Sequence, residues 1–169
     1  MSLPFLEADE NLHLNLGVIV ILLQCLSKSS RGTLKLNNDR LHAYHFLIKN
    51  PVKLNQVMPL LGKNGLLLSH QDSFSVASIS ANVDPLFDRE ALKSLLTILI
   101  SQQIVDVEYR KKEGFFYKLT NLGEIKAELL NGEFFSEMRI ACEQLKGTLS
   151  ISQSDINKAL NQIMRRDAF

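Results

Sequence analysis

Apolar positions along this chain switch between two periods, and the switch marks out its centre. Leu92, Leu95, Leu96, Leu99 and Ile100 fall on one face of a helix. Asp84 is able to N-cap that helix and Pro85 suits its first turn. After Gln103 the period becomes two. Ile104, Val107 and Tyr109 read as one strand and Phe115, Tyr117 and Leu119 as the next, with a turn at Lys111-Lys112-Glu113-Gly114. Thr120-Asn121-Leu122-Gly123-Glu124 then opens another helix, with Asn121 and Glu124 at capping-box spacing and Gly132 placed to end it.

A helix, a two-stranded ribbon and a helix make the core of a winged helix. The expected fold is mainly α with a small β-hairpin wing, a winged-helix domain flanked by additional helices. The expected division is an N-terminal helical region (1–70), the winged-helix core (71–132) and C-terminal helices (133–169). A first helix is expected over roughly 9–29, apolar nearly all round from Leu16 to Leu26. Such a helix is either central core or partly buried against another chain. Residues 27–38 read as a loop or short hairpin, with Leu34 and Leu36 turned inward.

Leu41, Tyr44, His45 and Ile48 share a second helical face, and Asn50-Pro51 ends that helix and starts a third. Leu54, Val57, Met58 and Leu61 repeat the helical spacing up to Gly62, with Pro59 shortening or kinking the last turn. Leu66-Leu67-Leu68 suggests a short apolar strand or a helical cap, and the serine-rich stretch 69–80 an irregular or edge strand. Phe134, Phe135, Met138, Cys142 and Leu145 predict a helix ending at Gly147. Ile156, Leu160, Ile163 and Met164 predict a last one from about Ser154.

Composition changes this picture little: 46% apolar and 22% charged residues over 169 positions describe an ordinary globular chain. The formal net charge of +1 supplies no whole-molecule field toward nucleic acid or anionic membranes. The two cysteines, Cys25 and Cys142, lack a pairing motif and fit a reducing compartment, buried as small hydrophobes. The N-terminus lacks the basic region of a signal peptide. The apolar run 12–26 is interrupted by polar residues and is shorter than the roughly 20 residues a membrane span needs. A cytoplasmic protein without membrane association is expected.

Charge is local. Arg110, Lys111, Lys112 and Lys118 lie on or near the hairpin, where a wing touches phosphates. Residues 31–63 hold Arg31, Lys35, Arg40, Lys49, Lys53 and Lys63 against the single acid Asp39. Candidate nucleic-acid contacts are therefore Arg110, Lys111, Lys112, Lys118, Arg40, Lys49 and Lys53. The helix before the wing offers a base reader only Arg89, Lys93, Gln102 and Gln103. Candidate partner-interface residues are Leu16, Val18, Ile19, Leu22, Phe134 and Phe135.

No enzyme chemistry emerges. Asp39, His42 and His45 have partial ligand spacing, but His45 shares an apolar stripe, and no metal site or cofactor is expected. Asp106, Glu108 and Lys112 superficially match nuclease carboxylates and lysine, yet they read better as polar positions of an exposed hairpin. No phosphate-cradling Gly-Lys-Ser/Thr loop, nucleophile elbow, His-Glu-x-x-His or CxxC occurs.

The order of features is more particular than a generic winged helix. It runs from the apolar helix through Leu-Asn-Asn-Asp-Arg-Leu (36–41), Ser-Phe-Ser-Val-Ala-Ser-Ile-Ser (73–80) and Asp-Pro-Leu-Phe-Asp (84–88). It continues through Ile-Val-Asp-Val (104–107) to Phe-Tyr-Lys-Leu-Thr-Asn-Leu-Gly (116–123). Over roughly residues 10–145 this resembles the middle components of bacterial ABC-three-component systems. That class includes the small subunit of Lamassu-type anti-phage defence, encoded beside an SMC-like ATPase and an effector that is often a nuclease. The resemblance implies a non-catalytic adaptor that binds the ATPase, bridges it to the effector and meets DNA through the complex. A stand-alone winged-helix transcriptional regulator is the alternative.

Overall fold

The computed structural model describes residues 12–64 and 89–167. The expected cap at Asp84-Pro85 and the expected strands in 66–80 lie outside them. The described elements are α1 (Leu12–Leu26), α2 (Asn38–Lys49), α3 (Pro51–Leu60), α4 (Arg89–Ser101), β1 (Val105–Arg110) and β2 (Gly114–Leu119). They continue with α5 (Asn121–Leu129), α6 (Glu133–Lys146) and α7 (Gln153–Asp167). The architecture is mostly helical with one antiparallel hairpin, consistent with a helix-rich winged-helix-like fold.

The uniformly apolar α1 is surrounded by its own chain, packing on α2, α4, α5, α6 and β2. Val18, Ile19, Val20, Ile21, Leu22 and Leu23 are all buried. The expectation that Val18, Ile19 and Leu22 meet a partner is therefore corrected: six consecutive apolar residues face inward because other elements of the chain flank α1 all round. Leu16, Phe134 and Phe135 are half-buried and pack on the same interior. Gly17 admits the ring of Phe135 onto the α1 backbone, where a Cβ would lie 2.7 Å from Cε1.

Between α1 and α2 the chain makes the expected small hairpin. Lys28 bridges Leu34 antiparallel, and both Leu34 and Leu36 are buried. The segment then adds to the wing: Asn37 bridges Phe116, and Tyr117 N–H donates to the Leu36 carbonyl at 3.0 Å. The start of α2 is thus tied to a ribbon far along the chain. The N-cap of α2 is Asn37, whose side chain accepts from Arg40 N–H. Asn50 stands at the start of α3, but its Nδ2 turns back to donate to the Phe46 carbonyl at 2.7 Å rather than capping.

α4 buries Leu92, Leu96 and Leu99 and leaves Ile100 exposed, so the inward stripe is narrower than its sequence suggests. It ends with Gln103 at φ 61, with Ile104 N–H donating to Leu99 O and Gln103 N–H to Ile100 O. This is a Schellman closure, built here around glutamine instead of glycine. The hairpin register pairs Val105 with Leu119 and Arg110 with Gly114. Its turn falls at Lys111-Lys112-Glu113, one residue shorter than the expected 111–114 because Gly114 already pairs with Arg110, with Lys112 at φ 85 and Gly114 at φ 88.

Thr120, not Asn121, caps α5, its Oγ1 accepting from Gly123 N–H at 3.0 Å. Gly132 does not end α5, which stops at Leu129; at φ 101 it stands before the first residue of α6 instead. α7 starts after Ser152, whose Oγ accepts from Asp155 N–H, and packs on α3 and α2 through Ile156, Ala159, Leu160 and Ile163.

Candidate nucleic-acid and partner surfaces

The wing is buried at its base and bare at its tip. Val105, Phe116, Tyr117 and Leu119 join the interior, whereas Tyr109 and Phe115 are 65% and 48% exposed. These two are directly paired across the strands, with ring centroids 5.1 Å apart and planes at 54°. Arg110 does not face outward as a free cation. Its Nε lies 3.4 Å from Glu108 Oε1 and its Nη1 3.9 Å from Glu113 Oε2, with the guanidinium over the Phe116 ring. Lys118 is half-buried and opposite Asp106 in the register. Lys111 and Lys112 are exposed at the turn, and no ion pair among the described residues takes up either.

The second group of expected contacts has gone inside. Arg40 is buried, donating from Nη1 to the carbonyls of Thr148 and Leu149 at 3.2 and 3.1 Å and from Nη2 to Ile151 at 2.5 Å. It holds the connection that leaves the C-terminus of α6, where backbone carbonyls lack helical partners and a cation is favoured. Tyr44 completes this clamp through a 2.6 Å hydrogen bond with Thr148 Oγ1. Lys53 is also buried, and that burial lowers its pKa. Lys49 donates to Asn15 Oδ1 at 3.0 Å. The expectation that Arg40 and Lys53 meet phosphates is corrected, because neither is accessible. On α4, Arg89 is engaged by Asp39.

No group of three His, Cys, Asp or Glu among the described residues could hold a metal ion. Asp106 accepts from Val107 N–H, and Glu108 pairs with Arg110, so the carboxylates that invited a nuclease reading serve the hairpin itself. Cys25 and Cys142 stand side by side between α1 and α6. The contact with Cys142 pushes the Cys25 pKa down, and the same contact together with burial pushes that of Cys142 up.

Two surfaces had no counterpart in the sequence reading. On α5 the small residues Gly123 and Ala127 face inward, while Leu122, Ile125 and Leu129 are 41%, 61% and 66% exposed. The signal was present as i, i+3, i+7 spacing, but periodicity alone assigns such a stripe to the core. On α7, Lys158, Asn161, Gln162, Arg165 and Arg166 line a solvent-open cleft of about 620 Å³. No helix of the described residues is long and apolar enough to cross a membrane.

A helix-rich winged-helix-like protein with an outward apolar helix face and a basic, aromatic wing tip is what these elements define. Residues 26–158 match the family described as ABC-three component (ABC-3C) system Middle Component 4, and the chain belongs to that family. It is thus one component of a multi-component system and works beside the other components. No curated protein and no solved structure matches it.

Proposed function

We propose that this chain is a non-catalytic, cytoplasmic adaptor of a Lamassu-type defence complex, bridging an SMC-like ATPase and a nuclease-type effector and meeting DNA within the assembly. Membership of the middle-component family over residues 26–158 carries the reading. The outer face of α5 supports it. Three large aliphatic side chains at heptad-like spacing lie in water beside Glu124 and Lys126, a pattern that accepts an amphipathic helix of a partner. The interface first expected on α1 is internal, and α5 replaces it.

Co-expression with the adjacent ATPase and effector tests this. The wild-type chain is expected to co-purify with both, whereas Leu122→Asp with Ile125→Asp breaks the complex and leaves the isolated chain folded. A soluble dimer that alone discriminates one duplex from bulk DNA, and captures neither protein, would replace the adaptor with a transcriptional regulator.

A further inference from the structure

Leaving two aromatic rings in water is unfavourable by the hydrophobic effect, so an exposed pair at a hairpin tip invites an occupant. Charge says which one. The two acids nearest the tip, Glu108 and Glu113, share the one guanidinium of Arg110, at 3.4 and 3.9 Å, and Asp106 stands opposite Lys118 further down the ribbon. The tip thus presents two ring faces, Tyr109 and Phe115, and two exposed ammonium groups, Lys111 and Lys112, with three cations against two carboxylates over residues 108–113. Lysine is depleted at protein–protein interfaces. Rings beside cations are the pattern at single-stranded nucleic-acid sites, where each base offers a π-face and each linkage a negative charge.

We propose that the wing tip binds unpaired nucleic acid, Tyr109 and Phe115 stacking on bases while Lys111 and Lys112 meet the flanking phosphates. A closed duplex is the poorer ligand. Its base faces are already stacked on one another, and on the helix before the wing Arg89 is paired with Asp39. Single-stranded DNA or RNA and the frayed end of a duplex share the required chemistry. The inference stands independently of the adaptor reading, because it concerns the isolated chain.

The test is fluorescence anisotropy of the full chain with a short labelled deoxythymidine oligonucleotide, its uridine counterpart, a blunt duplex and the same duplex with a frayed end. Single strands and the frayed end are expected to bind more tightly than the blunt duplex. Tyr109→Ser with Phe115→Ser should weaken single-strand binding by about tenfold or more with the salt slope retained, and Tyr109→Phe should keep it. Lys111→Ala with Lys112→Ala should lower the salt slope by about 1.4, roughly 0.7 for each phosphate that is no longer neutralised. Unchanged circular dichroism of the variants separates these losses from unfolding. Equal affinity for the blunt duplex, an aromatic variant that binds like wild type, or binding abolished only by Arg165→Ala with Arg166→Ala in the α7 cleft would each overturn the proposal.

Discussion

Gly123 lies against the carbonyl oxygen of Ile104 so closely that a Cβ on it would stand 2.2 Å away. The same carbonyl accepts from Thr120 N–H at 3.0 Å, and Thr120 Oγ1 donates to the neighbouring Gln103 carbonyl at 2.6 Å. The Leu-Thr-x-x-Gly segment therefore locks the end of β2 and the start of α5 onto the entry to β1. Threonine supplies the cap and glycine the space.

Gly123→Ala should accordingly destabilise the fold by about 3 kcal/mol, at the upper end for overpacking, because the obstructing atom is backbone and cannot rotate away. Gly147→Ala is the control. Its φ is −64, and a Cβ there meets neighbours no nearer than 3.7 Å, so it should be neutral or stabilise by up to about 1 kcal/mol. Urea unfolding of the two variants measures both.

Arg40→Met should cost about 3 kcal/mol, since it leaves the buried carbonyl of Thr148 and the half-buried carbonyls of Leu149 and Ile151 without this donor. Arg40→Lys should recover little, as one ammonium does not reproduce the guanidinium fork. Denaturation midpoints test the loss. DNA affinity of the folded fraction, measured in parallel, should not change.

Gly17 and Phe135 should behave as a coupled pair. Gly17→Ala forces the Phe135 ring off α1 and is expected to destabilise by about 1–2 kcal/mol. In the background of Phe135→Leu the same substitution should cost much less. A double-mutant cycle with an interaction energy near zero would show that the ring does not rest on the helix backbone.

Alkaline stability should be limited by Tyr44 and Tyr117. Burial raises both phenol pKa values, with hydrogen bonds to Thr148 and Arg40 opposing it at Tyr44 and to Asn38 at Tyr117. Unfolded tyrosine releases its proton near about pH 10, while the folded phenols keep theirs. The folded state then binds more protons, so this stability is complete below about pH 10 and falls as pH rises through the folded values. Urea midpoints across that range should drop, and Tyr44→Phe should flatten the drop.

Element types, their order and the wing turn were legible in the chain because they rest on short-range physics. Alternation, helical spacing and turn residues act over a few positions, and they located the described helices, both strands and the 111–113 turn. Caps were legible only to within a residue: Thr120 and Asn121 both carry side chains of the capping type, and the backbone geometry selects Thr120. The all-round apolar α1 was read correctly as deeply buried, but the identity of what buries it was not local information.

Burial and charge pairing were decided by tertiary structure, because both depend on groups that the chain brings together from far apart. Arg40 reads as a surface cation among its neighbours and becomes a clamp only when Thr148, 108 residues away, presents a carbonyl to it. Leu122, Ile125 and Leu129 have the spacing of a core stripe, yet the close approach of Gly123 to Ile104 turns α5 so that its small residues face in and its large ones face out. The sequence by itself determined a helix-rich fold with a basic hairpin. Only packing determined that Arg110 turns back toward Glu108 and Glu113 while Tyr109, Phe115, Lys111 and Lys112 stay exposed at the tip.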